Sequence, residues 1–369
     1  MRTADLHYDL PDALIATHPA VPRDAARLMV CRRDTGAVEH LHVRDLPDLP
    51  EWSAGDLMVF NRTRVLPALF DAVRAGTGGR VSALFLAEER VEGDTCWTLL
   101  LRSGGKPQPG ETLALPTGHT LLLLERRAAE HAGDPPHWVA RLDGPHIEAH
   151  ALLARIGAPP LPPYIQTQRR RAGGDAVEPA DTDRYNTVFA RDAGSVAAPT
   201  AGLHFTPALL DRLGARGLQR AHVTLHVGTG TFAPVRAEAL ADHPIHSERW
   251  QVEPDTLKAL RAARARGHAV CAVGTTTVRT LESLPADALT RDGHTPLGGD
   301  TDLFIRPDAG FDFRFTDRLL TNFHLPRSTL LALVAALPGV GLPRLLDWYA
   351  RAIAERYRFY SYGDAMLVV

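Results

Sequence analysis

The chain has 369 residues, 45% of them hydrophobic, enough to bury more than one domain core. Its formal net charge of −2 at pH 7 excludes a global positive field, so any contact with nucleic acid must come from local patches. Three widely spaced cysteines, Cys31, Cys96 and Cys271, make neither a disulfide framework nor a CxxC metal pair.

The opening "MRTADLHYDLPDALIA" carries no apolar run behind its arginine, and no later stretch approaches membrane length, so a reducing cytoplasmic setting is expected. A short helix is expected near Pro11 to Ala16, then a strand in "RLMVCRR". "GDLMVF" reads as an apolar strand closed by "NRTR". Residues 66–144 change character. "LFDAVRA", "RVSALFLAE", "CWTLLLR", "HTLLLLER" and "HWVARL" are short strand-like runs separated by turn chemistry such as "GTGG", "SGGKPQPG" and "PTG". That spacing predicts a small inserted antiparallel β-barrel. "GPHIEAHALLARIG" returns to helical periodicity with Gly157 as its C-cap. Residues 166–184 are polar and contain Gly and Pro, which predicts a long mobile loop.

From about residue 193 the pattern is α/β. Thr206 N-caps a helix with Pro207 in first position, Leu209, Leu210 and Leu213 form its apolar stripe, and Gly217 ends it. In "LQRAHVTLHV", Ala221, Val223, Leu225 and Val227 point one way and His222, Thr224 and His226 the other. "PDTLKALRAARARG" is a helix, "HAVCAV" a buried strand, and "VRTLESL" the next helix. "RLLTNFHLPRSTLLALVAAL" repeats strand, loop and helix, with Ser328 as cap. The expected architecture is an α/β main domain with a mixed or parallel sheet (1–65 and 145–369), interrupted by the barrel (66–144).

Three junctions carry unusual loops: "VAAPTAGLHFTP", "VGTTTVR" and "TNFHLPRST". Ligands of open α/β sheets bind beyond the carboxyl ends of the strands, so neighbouring strands would bring these loops to one pocket. Pro199 would stiffen the first loop and Gly202 would let its backbone approach a ligand. "HVGTGTF" is either a tight turn or a set of N–H groups and hydroxyls for a carboxylate, ribose or phosphate. Thr275, Thr276 and Thr277 open a helix whose N-terminus attracts an anion or a polar ligand edge, with Arg279 adding charge. "DHPIHSE" lacks the helical i, i+4 histidine pair and has no cysteine near it, so no metal site is expected there. For acid–base chemistry the natural candidates are His204, His226, His246 and Glu248. The terminal "YRFYSYGDAMLVV" offers aromatic rings and Arg358 either to stacked bases or to a core.

"YDLPDALIA", "GDLMVFNRTRV", "PLPPYI", "RYNTVFA", "VAAPTAGLHF", "VTLHVGTGTFAPV", "DHPIHSE", "AVGTTTVRTLES", "TNFHLPRSTLLALV" and "YRFYSYGDAML" run in order over nearly the whole chain. On these stretches it resembles the S-adenosylmethionine:tRNA ribosyltransferase-isomerase family of queuosine biosynthesis. The resemblance implies that the ribosyl part of S-adenosylmethionine is transferred to 7-aminomethyl-7-deazaguanine at the wobble position of a tRNA and isomerised. Epoxyqueuosine-tRNA forms, and adenine and methionine leave. It implies no metal and no cofactor, with S-adenosylmethionine as co-substrate.

In that frame Pro199, Thr200, Ala201, Gly202, Phe205, Gly228, Thr229, Gly230 and Phe232 are expected around the sulfonium and ribose. Gly274, Thr275, Thr276, Arg279, Asn322 and His324 are expected on the methionyl carboxylate or the adenine. Attack by the ribose C5′ calls for a general base and departure of adenine for an acid, supplied from the four acid–base candidates. The tRNA anticodon arm is expected on Asn61, Arg62, Arg64, Arg169, Arg170, Arg171, Tyr362 and Asp364, with the chain acting as a monomer. Ser82 stands where the family is expected to carry an acidic residue, which bears on tRNA contact more than on chemistry. Two other readings compete: an α/β lyase or transferase for a free nucleotide, and a non-catalytic tRNA-binding module. Three polar strand-end loops with clustered histidines argue against the module.

Overall fold

The computed structural model describes residues 1–128, 135–228, 235, 237–291 and 294–369. Two compact units form along the chain. One comprises Met1–Arg64, Pro162–Ala176 and Arg184–Val369, the other Val65–Leu161 and Val177–Asp183.

In chain order the elements are β1 (Arg27–Cys31), β2 (Val38–His42), β3 (Leu57–Asn61) and β4 (Thr63–Val65), then β5 (Leu69–Arg74), β6 (Arg80–Val91), β7 (Asp94–Ser103), β8 (Thr112–Ala114), β9 (Thr120–Arg127) and β10 (His137–Asp143). Next come α1 (Ala149–Ile156), β11 (Gly157–Ala158), α2 (Pro163–Arg171), α3 (Asp181–Arg184), β12 (Asp192–Ser195), α4 (Pro207–Ala215), β13 (Gln219–Leu225), β14 (Glu248–Val252) and α5 (Pro254–Ala265). The chain closes with β15 (Val270–Val273), α6 (Thr275–Glu282), β16 (Leu297–Thr301), β17 (Arg318–Asn322), α7 (Thr329–Ala336), α8 (Gly341–Ala354) and β18 (Ala365–Val368).

The larger unit is built on a nine-stranded sheet in the order β16-β14-β13-β3-β15-β17-β18-β1-β2. Its centre, β13-β3-β15-β17, is parallel. These strands are covered on both faces, which is why "LMVF" and "VCAV" are unbroken apolar runs rather than alternating ones. Successive residues still divide between two cores. Leu57, Val59 and Ala272 meet the stripes of α5, α6, α7 and α8. Met58, Phe60, Cys271 and Val273 meet Leu209, Leu210 and Leu213 of α4. Ala221, Val223, Leu225 and Val227 join the first core together, as their alternation predicts. Thr206 and Ser328 cap α4 and α7 by accepting from Leu209 N and Leu331 N. No single helix among the described residues is long and apolar enough to cross a membrane.

The smaller unit is an antiparallel barrel. Strands β5-β6-β7-β10-β9-β8 close on themselves through β5–β8 pairing, and β11 adds to β5. Phe70 and Phe85 meet the edge of Trp97 at 5.9 and 4.9 Å between ring centroids. Register shifts at Phe85/Ala87 and Val139/Ala140 add the bending that closure requires.

Three expectations need correction. The barrel unit extends past residue 144, because Leu152 and Leu153 of α1 are buried in its core. Residues 166–184 are not one loop: α2 continues to Arg171 and α3 occupies Asp181–Arg184. The helix expected near Pro11 to Ala16 is a single 3₁₀ turn, Asp12–Leu14.

Gly157 follows α1 directly in extended conformation and pairs with Phe70. A Cβ there would overlap the carbonyl oxygen of Pro67, a backbone atom that cannot turn aside. Gly157→Ala should therefore destabilise the barrel by about 3 kcal/mol or more. Denaturant unfolding followed by Trp97 and Trp138 fluorescence checks this, and an unchanged midpoint would contradict the overlap.

Candidate active site

The strands β13, β3, β15 and β17 run side by side in one direction, so Leu225, Asn61, Val273 and Asn322 end on one edge. Backbone groups there have lost their next ladder partner, and side chains must satisfy them. Asn61 does so on all sides. Its Nδ2 donates to Leu225 O (3.0 Å) and Thr276 Oγ1 (3.3 Å), and its Oδ1 accepts from Thr63 N (3.1 Å) and Leu225 N (3.2 Å). One buried amide thus ties β3 to β13 and to the first turn of α6.

Beyond this edge lies a cleft with about 720 Å³ of open space. Residues 197–201, 274–276 and 321–325 line it, with Tyr164, Val227, Ser328, Leu330, Tyr360 and Ser361. The three unusual loops therefore converge, as the strand-end rule predicts. Gly274 makes the tight entry into α6 at φ +92° and donates to Leu320 O (2.7 Å). Thr277 and Thr280 turn inward and bond back to the carbonyls of Val273 and Thr276. Thr275 and Thr276 remain on the cleft wall.

Asn322 is held by three partners. Its Nδ2 lies 3.1 Å from His204 Nε2 and 3.2 Å from Tyr360 O, while its Oδ1 accepts from Thr200 Oγ1 at 2.9 Å. His324 pairs through Nε2 with Thr321 Oγ1 at 2.9 Å, and its backbone N–H donates to the Tyr349 hydroxyl. Tyr164 bonds the Ser361 hydroxyl and stands edge-on to Tyr360, with centroids 4.8 Å apart. Burial pushes the Tyr164 phenol up to about 12.

A second, adjoining cleft, with about 500 Å³ of open space, shares Leu330 and is lined by His243, His246, Glu248, Arg279, Phe304 and their neighbours. Glu248 and Arg279 form an ion pair across it, both nearly out of solvent. The other Glu248 oxygen accepts from Gly228 N (3.0 Å). Arg279 also donates to the carbonyls of Leu303 and Thr301, both at 3.1 Å.

Of the expected substrate contacts, Pro199, Thr200, Ala201, Gly274, Thr275, Thr276, Asn322 and His324 come together in the first cleft. Phe205 does not: it is fully buried edge-on against Phe60 in the core under α4. Gly202 serves packing rather than ligand approach, since a Cβ would press on Phe189 and Thr187. Arg279 is engaged with Glu248 and two carbonyls, which also removes Glu248 from the role of free base. Gly228 is committed to Glu248. Thr229, Gly230 and Phe232 lie outside the described residues. His204 stands behind Asn322 and is buried. His226 points away from the cleft that Val227 lines, toward Thr63 Oγ1 at 2.9 Å and against Gly194. His246, half-buried, lines the second cleft.

The tRNA contacts divide likewise. Asn61, Arg169, Tyr362 and Asp364 are buried. Arg169 donates to Thr17 O, Tyr362 meets Tyr185 edge-on, and Asp364 pairs with Arg358 at 2.8 Å and accepts from Arg27 N. Arg62 is held by Asp192 at 2.6 Å and Glu253 at 3.3 Å. Arg64, Arg170 and Arg171 are exposed, Arg171 beside Asp12. Sequence reasoning missed Tyr164, Thr321, Tyr360 and Ser361 as cleft residues, although "PLPPYI" and "YSYG" already marked two of the segments.

A sequence model described as queuosine biosynthesis protein matches residues 3–368. The chain belongs to this family. A relative from Moorella thermoacetica, named S-adenosylmethionine:tRNA ribosyltransferase-isomerase, is 46% identical over 370 residues and covers all of both chains. One of the same name from Anaeromyxobacter sp. is 48% identical over 371 residues, covering 100% of this chain and 99% of the relative. The crystal structure of an S-adenosylmethionine tRNA ribosyltransferase from Thermotoga maritima is 34% identical, with a TM-score of 0.52, and matches 99% of this chain and 100% of its own.

The buried histidines make a pH prediction. Burial pushes His204 down to about 4, with Arg358 and Arg23 adding to the effect and Asp364 opposing it, and pushes His324 down to about 3. In the unfolded chain both return to about 6.5. Their folded values are lowered, so the unfolded state binds more protons below pH 6.5. This stability is fully present above pH 6.5 and is lost as pH falls toward the folded values. Urea unfolding should show a loss of about 2 to 3 kcal/mol per ring by pH 4.5. His204→Gln should remove its share of the slope, and an unaltered slope would contradict a neutral buried ring.

Proposed function

We propose that this chain transfers the ribosyl part of S-adenosylmethionine to 7-aminomethyl-7-deazaguanine in the wobble position of a tRNA and isomerises it to the epoxycyclopentane of epoxyqueuosine, releasing adenine and methionine. The observation that carries this reading is the convergence of family motifs on one cleft at the carboxyl ends of four parallel strands. Its described lining contains no Lys or Arg, and Tyr164, Phe323 and Tyr360 are part of it. A sulfonium is favoured by aromatic faces and disfavoured by a neighbouring cation, so the committed state of Arg279 supports the reading. Tyr164 and Tyr360 take the part first expected of Phe205.

The sulfonium acidifies the ribose C5′–H, and a base that removes this proton leaves an ylide-like carbon. Adenine departs more readily when a ring nitrogen is protonated. His246, in the adjoining cleft, is the residue we assign to proton transfer. The described lining of the cleft lies in one unit of the chain, which supports a monomer, and S-adenosylmethionine and tRNA are its proposed partners, in the cytoplasm. Of the arginines expected on the tRNA, Arg64, Arg170 and Arg171 are the exposed ones and the ones we assign to phosphate. No step calls on a metal or a further cofactor.

Mass spectrometry tests this directly. An anticodon stem-loop carrying aminomethyl-deazaguanine is incubated with the protein and S-adenosylmethionine, with a plain-guanine stem-loop as control. Only the modified RNA should gain the epoxycyclopentyl group, with adenine released. His246→Ala should lower kcat by about 10²- to 10⁴-fold. Unchanged RNA and no adenine from folded protein would overturn the proposal, and an active His246→Ala variant would overturn the assignment of its base.

A further inference from the structure

Asn322 lines the cleft, but the direction of its amide is set from behind. A side-chain amide has two N–H donors and two carbonyl lone pairs. Tyr360 O can only accept, so the atom 3.2 Å from it is Nδ2. The second Nδ2 hydrogen then points at His204 Nε2, 3.1 Å away. That nitrogen must accept, which requires a neutral ring with its proton on Nδ1. Thr200 Oγ1 donates to Oδ1 and occupies one lone pair. Both donors and one acceptor site are thereby taken inside the protein. What Asn322 has left for the cleft is a single carbonyl lone pair.

We propose that His204 is a positioning residue: as a hydrogen-bond acceptor it fixes Asn322 so that the cleft presents an acceptor and selects an N–H or O–H donor of the ligand. This rests on the reading that S-adenosylmethionine occupies the cleft. His204 does not touch the ligand and is not the general base. Burial keeps its ring neutral, with the pKa near 4, Arg358 and Arg23 lowering it further and Asp364 raising it. A protonated ring would turn Nε2 into a donor and face Nδ2 with a second hydrogen. The amide would then have to flip, setting Oδ1 against Tyr360 O and turning the cleft atom from acceptor to donor. S-adenosylmethionine has donors of the required kind in the adenine amine, the methionyl ammonium and the ribose hydroxyls.

The test is calorimetric binding of S-adenosylmethionine to the full chain at pH 7.5, with thermal unfolding to confirm that each variant is folded. His204→Gln keeps an acceptor, through Oε1, and should bind within about 3-fold of wild type. His204→Leu should weaken binding about 10-fold, the size of one lost hydrogen bond. In steady-state turnover its KM should rise more than its kcat falls. In an Asn322→Ala background, His204→Leu should have no further effect on binding, which a purely structural histidine would not produce. The 6-oxopurine and des-amino analogues identify the donor: the analogue whose affinity no longer depends on Asn322 lacks it, and dependence retained in both assigns a ribose hydroxyl. Equal binding by the Gln and Leu variants, or a His204→Leu effect that persists without Asn322, would overturn this inference alone. Absence of binding by wild type would overturn it together with the reading beneath it.

Discussion

The carboxyl edge of a parallel sheet is where a backbone ladder stops while its polar groups are still buried. In this chain that edge belongs to β13, β3, β15 and β17, and two asparagines satisfy it. Asn61 closes the gap between β3, β13 and α6 with four contacts. Asn322 does the same between β17, the loop at Thr200 and the segment at Tyr360. Each amide matches a carbonyl or hydroxyl with one end and a donor with the other, which no apolar or charged residue of similar size can do. An unmatched group here would cost about 1 to 3 kcal/mol. The loops that wall the cleft are therefore fixed by the same contacts that finish the sheet.

The opposite edge is held by charge. Asp56 accepts from the N–H groups of Ser53 and Ala269 and pairs with Arg318 at 2.7 Å. Burial alone would raise its pKa, but these donors outweigh it and hold the carboxyl below its ordinary value. Ionic partners thus secure the amino ends of the parallel strands. On the cleft side of the carboxyl ends the corresponding contacts are made by the neutral amides of Asn61 and Asn322. Arg279 of α6 is turned into the adjoining cleft and paired with Glu248.

Much of the fold was legible because its signals are local. The alternation from Ala221 to Val227, the caps at Thr206 and Ser328, and the turn-rich barrel strands each report a neighbour a few residues away. The convergence of the three loops followed from strand-end logic alone. What failed depended on burial that no local pattern encodes. Phe205 and Gly202 sit in a motif that touches the cleft, yet a 3₁₀ turn from Thr200 to His204 carries them past it into the core. His204 was read by its chemical type as a base, whereas it stands behind Asn322 with its Nε2 3.1 Å from the amide nitrogen, the placement from which the acceptor role is inferred. His226 and Val227 are adjacent in sequence and face opposite ways, so one could not serve the cleft that the other lines.

The arginines explain why charge was the poorest guide. Lys and Arg together number 41, and the arginine-rich stretches suggested RNA contacts. Many of these guanidinium groups instead close off backbone carbonyls. Arg314 donates to Glu282 O and Leu284 O at the end of α6, Arg261 to Leu289 O and Arg291 O, and Arg33 to Asp317 O and Val369 O. Arg169, the first of "RRR", does the same for Thr17 O. A planar group with five donors suits a loop or helix end that leaves several carbonyls without partners, a task Lys performs poorly. Helix α2 shows the outcome in one turn: Arg169 faces inward to bind the framework, while Arg170 and Arg171 face solvent. Helical geometry, not the run of charge, decides which of the three a phosphate can reach.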